Sequence, residues 1–91
     1  MPDAAPATIT LVYLARLRAA FGTGGERMAL TPALADVAAL RASLAARGGA
    51  WATELAAGRA VRVAVNHDLA TPQTPLRAGD EVALFPPVTG G

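Results

Sequence analysis

The sequence predicts an α+β fold in which a mixed β-sheet carries one main helix on a single face. Segments 8–14, 61–65 and 81–85 are short and rich in β-branched residues with alternating polarity, which is typical of strands. Between the first two lies an alanine-rich segment, 36–47, whose larger apolar residues recur at helical spacing. The order strand, strand, helix, strand, strand favours a β-grasp arrangement, which leaves the other face of the sheet open.

The first strand, residues 8–14, presents one face to the predicted core. That face carries three residues: Ile9, Leu11 and Tyr13. The segment 15–21 predicts a short helix, which the glycine-rich loop 22–25 ends. Residues 26–30 are then expected to return as the second strand of a hairpin.

The main helix is predicted to begin after Asp36, a favourable N-cap residue, and to run to about Arg47. Its buried stripe is expected to contain Val37, Leu40 and Leu44. The pair Gly48-Gly49 supplies the stop. A short helical turn is expected over 51–57.

The remaining chain predicts two further strands joined by loops. Residues 61–65 alternate as a half-buried strand does, and 66–68, Asn-His-Asp, provide a turn after it. The two prolines in 71–78 make that stretch mostly loop. Gly79-Asp80 forms a tight turn before the last strand, 81–85.

Composition sets the class of protein. The chain has 91 residues, of which 53% are hydrophobic and 16% charged, so it can build one modest core and one domain. The net charge is +1 and the arginines are scattered, which argues against nucleic-acid binding. There is no cysteine, so thiolate chemistry must come from another molecule. No apolar run is long enough to span a bilayer, and we expect a cytoplasmic protein with no membrane partner.

Three regions follow from these patterns. Residues 1–7 are predicted to be a flexible N-terminal extension, residues 8–85 the β-grasp domain, and residues 86–91 an extended C-terminal tail.

The open face of the predicted sheet should carry an apolar patch. If Val82 and Leu84 face the helix, Phe85 points outward, and the first and last strands are neighbours in a β-grasp sheet. The residues brought together would be Val12, Leu14, Ala83 and Phe85. An uncovered patch of this kind usually marks a protein interface.

The tail is built to present its terminal carboxylate. Pro86 and Pro87 fix φ and donate no backbone hydrogen bond, so the chain should leave the sheet stiff and extended. Six residues reach at most about 20 Å. Gly90 and Gly91 have no Cβ and can pass through a narrow channel. ATP-dependent adenylation would make the carboxyl group attackable by sulfur and yield a thiocarboxylate, and no residue pattern here could catalyse that activation, so a separate activating enzyme is implied.

The ending GDEVALFPPVTGG at 79–91 and the segment VYLARLR at 12–18 closely resemble the small subunits of molybdopterin synthase in the ubiquitin-like MoaD/ThiS family. The similarity extends from about Ile9 to Gly91. The departures are the extra residues before Ile9 and the alanine-rich helix.

The resemblance implies a non-catalytic, sulfur-donating subunit of a transferase. An E1-like adenylyltransferase would use ATP to adenylate Gly91, a sulfurtransferase would supply sulfur, and this chain would bind no cofactor itself. The thiocarboxylate would then donate its sulfur to cyclic pyranopterin monophosphate inside the large synthase subunit. The assembly would contain two small and two large subunits. The tail residues threading that active site would be Pro87, Val88, Thr89 and Gly90. Partner contacts would fall on Leu14, Arg18, Leu69 and Phe85.

Two other functions fit the same ending. A sulfur carrier for thiamine or tRNA thiolation shares the Gly-Gly end, and a ubiquitin-like protein modifier would use the same acyl-adenylate. His67, in a turn, is expected to be a solvated loop residue, and Ser43 lies within the predicted helix without a nearby base. The loop 22–25 lacks the ending of a phosphate-binding loop. Trp51 is expected to plug the core.

Overall fold

The structure, a computed structural model, describes residues 7–87. In chain order the elements are β1 (Thr8–Tyr13), α1 (Arg16–Phe21), β2 (Gly25–Ala29), a 3-10 turn (Pro32–Leu34), α2 (Val37–Ala45), α3 (Gly49–Glu54), β3 (Arg62–Val65), β4 (Asp68–Leu69) and β5 (Glu81–Phe85). None of the helices in this part of the chain is long and apolar enough to cross a membrane.

The five strands form one mixed sheet in the order β2-β1-β5-β3-β4. The central pair, β1 and β5, is parallel, whereas the β1–β2, β3–β5 and β3–β4 pairs are antiparallel. The predicted β-grasp arrangement is therefore confirmed, with the first and last strands as neighbours. The last strand lies in the middle of the sheet.

The core lies between the sheet and the helices. Its buried hydrophobic residues are Ile9, Leu11, Tyr13, Leu17, Leu34, Val37, Leu40, Leu44, Leu55, Val63, Leu76, Val82 and Leu84. The predicted core face of β1 is confirmed, and so is the predicted stripe of the main helix. Alternate residues of β1, β3 and β5 therefore point to the opposite, open face of the sheet.

Helix α2 begins as the sequence predicts. The Asp36 carboxylate accepts a hydrogen bond from the Ala39 backbone N–H at 2.8 Å, which satisfies one of the unpaired donors of the first turn. The helix ends at Ala45, two residues before the predicted end. The Arg47 and Gly48 N–H groups donate to carbonyls three residues back, so the last turn tightens before the corner.

The helical turn predicted over 51–57 begins and ends earlier in the structure, where it forms α3. Gly48, with φ of 80°, is the residue before α3, which spans Gly49–Glu54. The glycine pair expected to stop one helix thus also makes the corner into the next, because only glycine adopts such dihedrals without strain.

An aromatic and ionic cluster ties α1 and α3 to the sheet. The Tyr13 hydroxyl donates to Glu26 at 2.7 Å, and Arg47 donates to both oxygens of the same carboxylate at 2.8 and 2.9 Å. Trp51 stacks on Phe21 with ring centroids 3.8 Å apart, and Tyr13 meets both rings edge-on. Burial, reinforced by the hydrogen bond to Glu26, raises the pKa of Tyr13, so its hydroxyl stays a donor.

Two short elements are absent from the sequence prediction. One is the 3-10 turn Pro32–Leu34, and the other is β4, only two residues long. Asn66 and His67 have φ of 50° and 74°, and Val65 pairs with Asp68 across them, so the predicted turn closes a hairpin. A two-residue strand shows no periodicity, which is why the pattern of the sequence does not reveal it.

Ala15, between β1 and α1, has an unusual backbone conformation. Its φ is 53° and its ψ is −129°, and the Leu17 N–H donates to the Leu14 carbonyl at 3.1 Å. This is the geometry of a type II′ turn, whose first central position favours glycine. An alanine there stores strain.

We expect Ala15→Gly to stabilise the fold by about 1 kcal/mol, because glycine adopts this conformation without the Cβ clash. Urea unfolding measures the change. The matched control is Ala19→Gly in exposed helical surface of α1, which should destabilise by about 0.5–1 kcal/mol. Equal destabilisation of both variants would contradict the proposed strain.

Glu26 should make stability depend on pH. Its hydrogen bonds with Arg47 lower the pKa of this carboxyl below its ordinary value of 4.5. The ionised form therefore stabilises the fold above that value, and this contribution is lost as the pH falls through the folded-state pKa. Denaturant midpoints measured from about pH 6 down to about pH 3 should fall less steeply for Glu26→Gln than for the native chain. Parallel curves for the two proteins would show that the Glu26 carboxyl does not contribute to the pH dependence of stability.

Candidate functional site

The open face of the sheet carries a continuous apolar surface, which we call the open-face patch. It comprises Val12, Leu14, Ala64, Leu69, Ala83 and Phe85. Strand register places one row of it across four strands: Val12 pairs with Ala83, Ala83 with Ala64, and Ala64 with Leu69. Paired residues point to the same face, so the row is contiguous.

Leu14 and Phe85 extend the patch at the carboxyl end of β5. Tyr13 pairs with Leu84, and the Leu14 N–H donates to the Leu84 carbonyl at 3.1 Å, so the two residues that follow lie side by side. Leu14 is 43% exposed. Phe85 is half-buried, and it lies on the face opposite the fully buried Leu84. The structure therefore places Phe85 outward, as strand alternation predicts.

Leu69 is the most exposed large hydrophobic residue of the described chain, at 69%. It lies in the edge strand β4, and its pairing with Ala64 puts it on the open face. Residue patterns alone gave no reason to single it out, and only the family resemblance pointed to it. The available signal was the Asn66-His67 turn, which implies a returning strand.

Arg18 lies on α1 and not on the sheet. Its side chain is exposed, and its guanidinium packs over Gly24 in the loop before β2. The structure thus places this cation between α1 and the 22–25 loop, about one helical turn after Leu14.

The described chain leaves the sheet next to the patch. Strand β5 ends at Phe85, and Pro86 and Pro87 are half-buried. The predicted threading residues Val88, Thr89 and Gly90, and the predicted reactive residue Gly91, lie outside the described residues. Because the strand that leads to them runs between β1 and β3, the exit point is fixed in the middle of the sheet.

A groove of about 760 Å³ lies beside α2, and we call it the α2 groove. One wall is the exposed side of α2, and the other is formed by residues between 55 and 63 and by 69–72. Pro87 also lines it. The Arg41 guanidinium bridges its walls by donating to the backbone carbonyls of Leu55, Ala56 and Arg59 at 2.7–3.0 Å.

The other residues considered for chemistry occupy structural or solvated positions. The His67 side chain is 84% exposed, with Nε2 at 4.0 Å from Glu81, which confirms the solvated loop residue. Trp51 packs against the core without being fully buried. In residues 7–87, no three side chains of His, Cys, Asp or Glu gather where they could hold a metal ion.

The fold and the open-face patch define a ubiquitin-like β-grasp protein. Over residues 11–91 the chain matches the ThiS family, and it belongs to that family. It is 41% identical over 83 residues to the molybdopterin synthase sulfur carrier subunit of Escherichia coli, covering 91% of this chain and 99% of that protein. The chain is 35% identical over 83 residues to the Haemophilus influenzae subunit of the same name, covering 91% of this chain and 99% of that protein.

A solved structure agrees with the fold. SAMP1 from Haloferax volcanii superimposes with a TM-score of 0.75 at 26% identity, covering 92% of this chain and 99% of that one.

Leucines on the two faces of the sheet should respond differently to truncation. Leu84→Ala removes a fully buried side chain and should destabilise the fold by about 2–5 kcal/mol. Leu69→Ala removes an exposed one and should change stability by less than about 0.5 kcal/mol. Urea unfolding of both variants measures the difference. A large loss of stability for Leu69→Ala would mean that this leucine packs into the core. It would then not be exposed for a partner to bind.

Proposed function

We propose that this chain is the sulfur carrier subunit of molybdopterin synthase, acting in molybdenum cofactor biosynthesis with the cytoplasm as its compartment. The observation on which this rests is that the central strand β5 ends within the open-face patch, and the six residues that follow end in Gly90-Gly91. A partner that covers the patch therefore necessarily meets the point where the tail leaves the sheet. Membership of the ThiS family and the 41% identity to the E. coli subunit support the same function.

The chemistry belongs to the Gly91 carboxyl group. In the activating enzyme, a carboxylate oxygen attacks the α-phosphate of ATP and releases pyrophosphate, which leaves an acyl-adenylate. Hydrosulfide, HS⁻, supplied through a sulfurtransferase, then attacks the carbonyl carbon and displaces AMP, so that the tail ends in a thiocarboxylate with no change in the oxidation state of sulfur. That sulfur adds to cyclic pyranopterin monophosphate, and water releases the tail as the original carboxylate.

The large synthase subunit is the proposed acceptor of the loaded tail. One chain in the structure of the complex of subunits 1 and 2 of the Helicobacter pylori molybdopterin-converting factor shares the fold of this chain, with a TM-score of 0.62 at 24% identity, covering 92% of this chain and 99% of that one. In our proposal the large subunit covers Leu14, Leu69 and Phe85, with Arg18 at the edge, while Pro87, Val88, Thr89 and Gly90 enter its active site. A reach of about 20 Å for six extended residues is enough for this. Two small and two large subunits form the assembly.

The proposal divides the work between this chain and its partners. Ser43 lies in α2 and His67 is solvated, so neither is arranged as a nucleophile with its base. In our proposal the chain contributes binding and delivery, and the activating enzyme and the large subunit contribute catalysis.

Loss of Gly91 should abolish sulfur transfer and leave the fold intact, because the reacting carbonyl carbon is removed and the core is untouched. The full chain and the variant lacking Gly91 are each co-expressed with the activating enzyme and its sulfur source. Intact-mass analysis should show replacement of one oxygen by sulfur in the full chain only. A matched truncation at the other end, removal of residues 2–6, should be sulfurated like the full chain.

Three results would contradict this function. The first is synthesis of molybdopterin by the variant without Gly91. The second is higher-mass protein conjugates that disappear with Gly91, which would indicate a protein modifier. The third is binding to a thiazole synthase in place of the large synthase subunit, which would indicate a carrier for thiamine.

A further inference from the structure

The α2 groove lies beside α2 on the helical side of the sheet, and it shares Leu69 with the open-face patch. Its walls are lined mostly by small apolar side chains, among them Ala38, Ala42 and Ala45 on α2. At the floor lie Leu55 and Val63, both buried. Small side chains on the walls allow another backbone to approach closely, and the apolar floor offers area to bury.

The charge of the groove has one sign. Among the described residues that line it, two are charged, Arg41 and Arg62, and none is acidic. Arg62 pairs with Phe85, so its side chain lies on the open face at the border of the groove, and Arg41 supplies the charge within it. Arg41 donates to three backbone carbonyls, which orient its guanidinium but do not neutralise its charge. Neither arginine forms an ion pair within residues 7–87. An occupant with a carboxylate is therefore favoured over one with a cation.

The groove is continuous with the open-face patch around the β4 edge of the sheet. Leu69 belongs to both surfaces. Arg62 pairs with Phe85 in the sheet and also lines the groove. Pro87, the last described residue, lines the groove as well. A protein that covers the patch and takes the tail beyond Pro87 consequently borders the opening of the groove.

We propose that the α2 groove is a second contact surface for the large synthase subunit, and that it receives an apolar segment of that partner bearing an Asp or Glu side chain. This inference rests on the proposed function. The proposed interface then covers two sides of the domain and not only the open face of the sheet. Contacts on both sides hold the end of β5, at Phe85, against the partner. The groove thereby adds to the discrimination between partners that a flat apolar patch provides on its own.

The test fills the groove without touching the patch or the tail. Ala42→Trp places a large side chain in the groove, and Ala52→Trp places the same side chain on the exposed surface of α3, away from it. Titration calorimetry measures the affinity of each chain, without sulfur at Gly91, for the purified large subunit. The affinity should be about tenfold or more weaker for Ala42→Trp and unchanged for Ala52→Trp. Thermal unfolding confirms that both variants fold.

A second pair of variants tests the carboxylate. Ala42→Asp should bind more weakly than Ala42→Lys at low salt, and the difference should shrink as salt is raised, because the acidic side chain repels the acidic occupant. Hydrogen exchange on the native chain gives an independent measurement: the amides of α2 and of 55–61 should gain protection when the large subunit binds.

The outcomes separate this inference from the proposed function. If Ala42→Trp binds with native affinity while Leu14→Ser binds weakly, the patch is an interface and the groove inference is wrong. If the native chain does not bind the large subunit at all, the proposed function and the groove inference are both wrong. Tighter binding of Ala42→Asp than of Ala42→Lys would overturn the assigned chemistry of the occupant.

Discussion

The parallel pairing of β1 with β5 is the constraint on which the architecture depends. It makes the first and last strands neighbours, because Thr10 to Tyr13 align with Glu81 to Leu84. A parallel pair needs a long crossover connection, and here the intervening residues supply the hairpin, the helices and β3. As a result the last strand is held in the centre of the sheet, and its final residue, Phe85, has a fixed position there.

The same strand serves both the core and the surface. Val82 and Leu84 are fully buried, and Ala83 and Phe85, one residue along from each, lie on the open face. A domain of this size has few elements with which to cover a sheet, so one face stays uncovered. Placing apolar residues there lowers solubility, and the surface is useful only because partners can bury it.

The helical side of the molecule holds the sheet in place by specific contacts. Tyr13 and Arg47 meet on the Glu26 carboxylate, and the stacked rings of Phe21 and Trp51 close over Tyr13. Arg41 joins α2 to the segment before β3 through backbone carbonyls and leaves the groove between them open. These contacts link residues far apart in the sequence.

The sequence by itself determined four of the five strands, the main helix with its Asp36 cap, the core faces and the Gly-Gly ending, because these depend on local periodicity and residue chemistry. It did not determine β4, the strained turn at Ala15 or the α2 groove. Those depend on which distant segments meet: Leu69 acquires its place on the open face only by pairing with Ala64. Tertiary structure alone decided that the patch and the groove share an edge, since strand order has no local signal in the sequence.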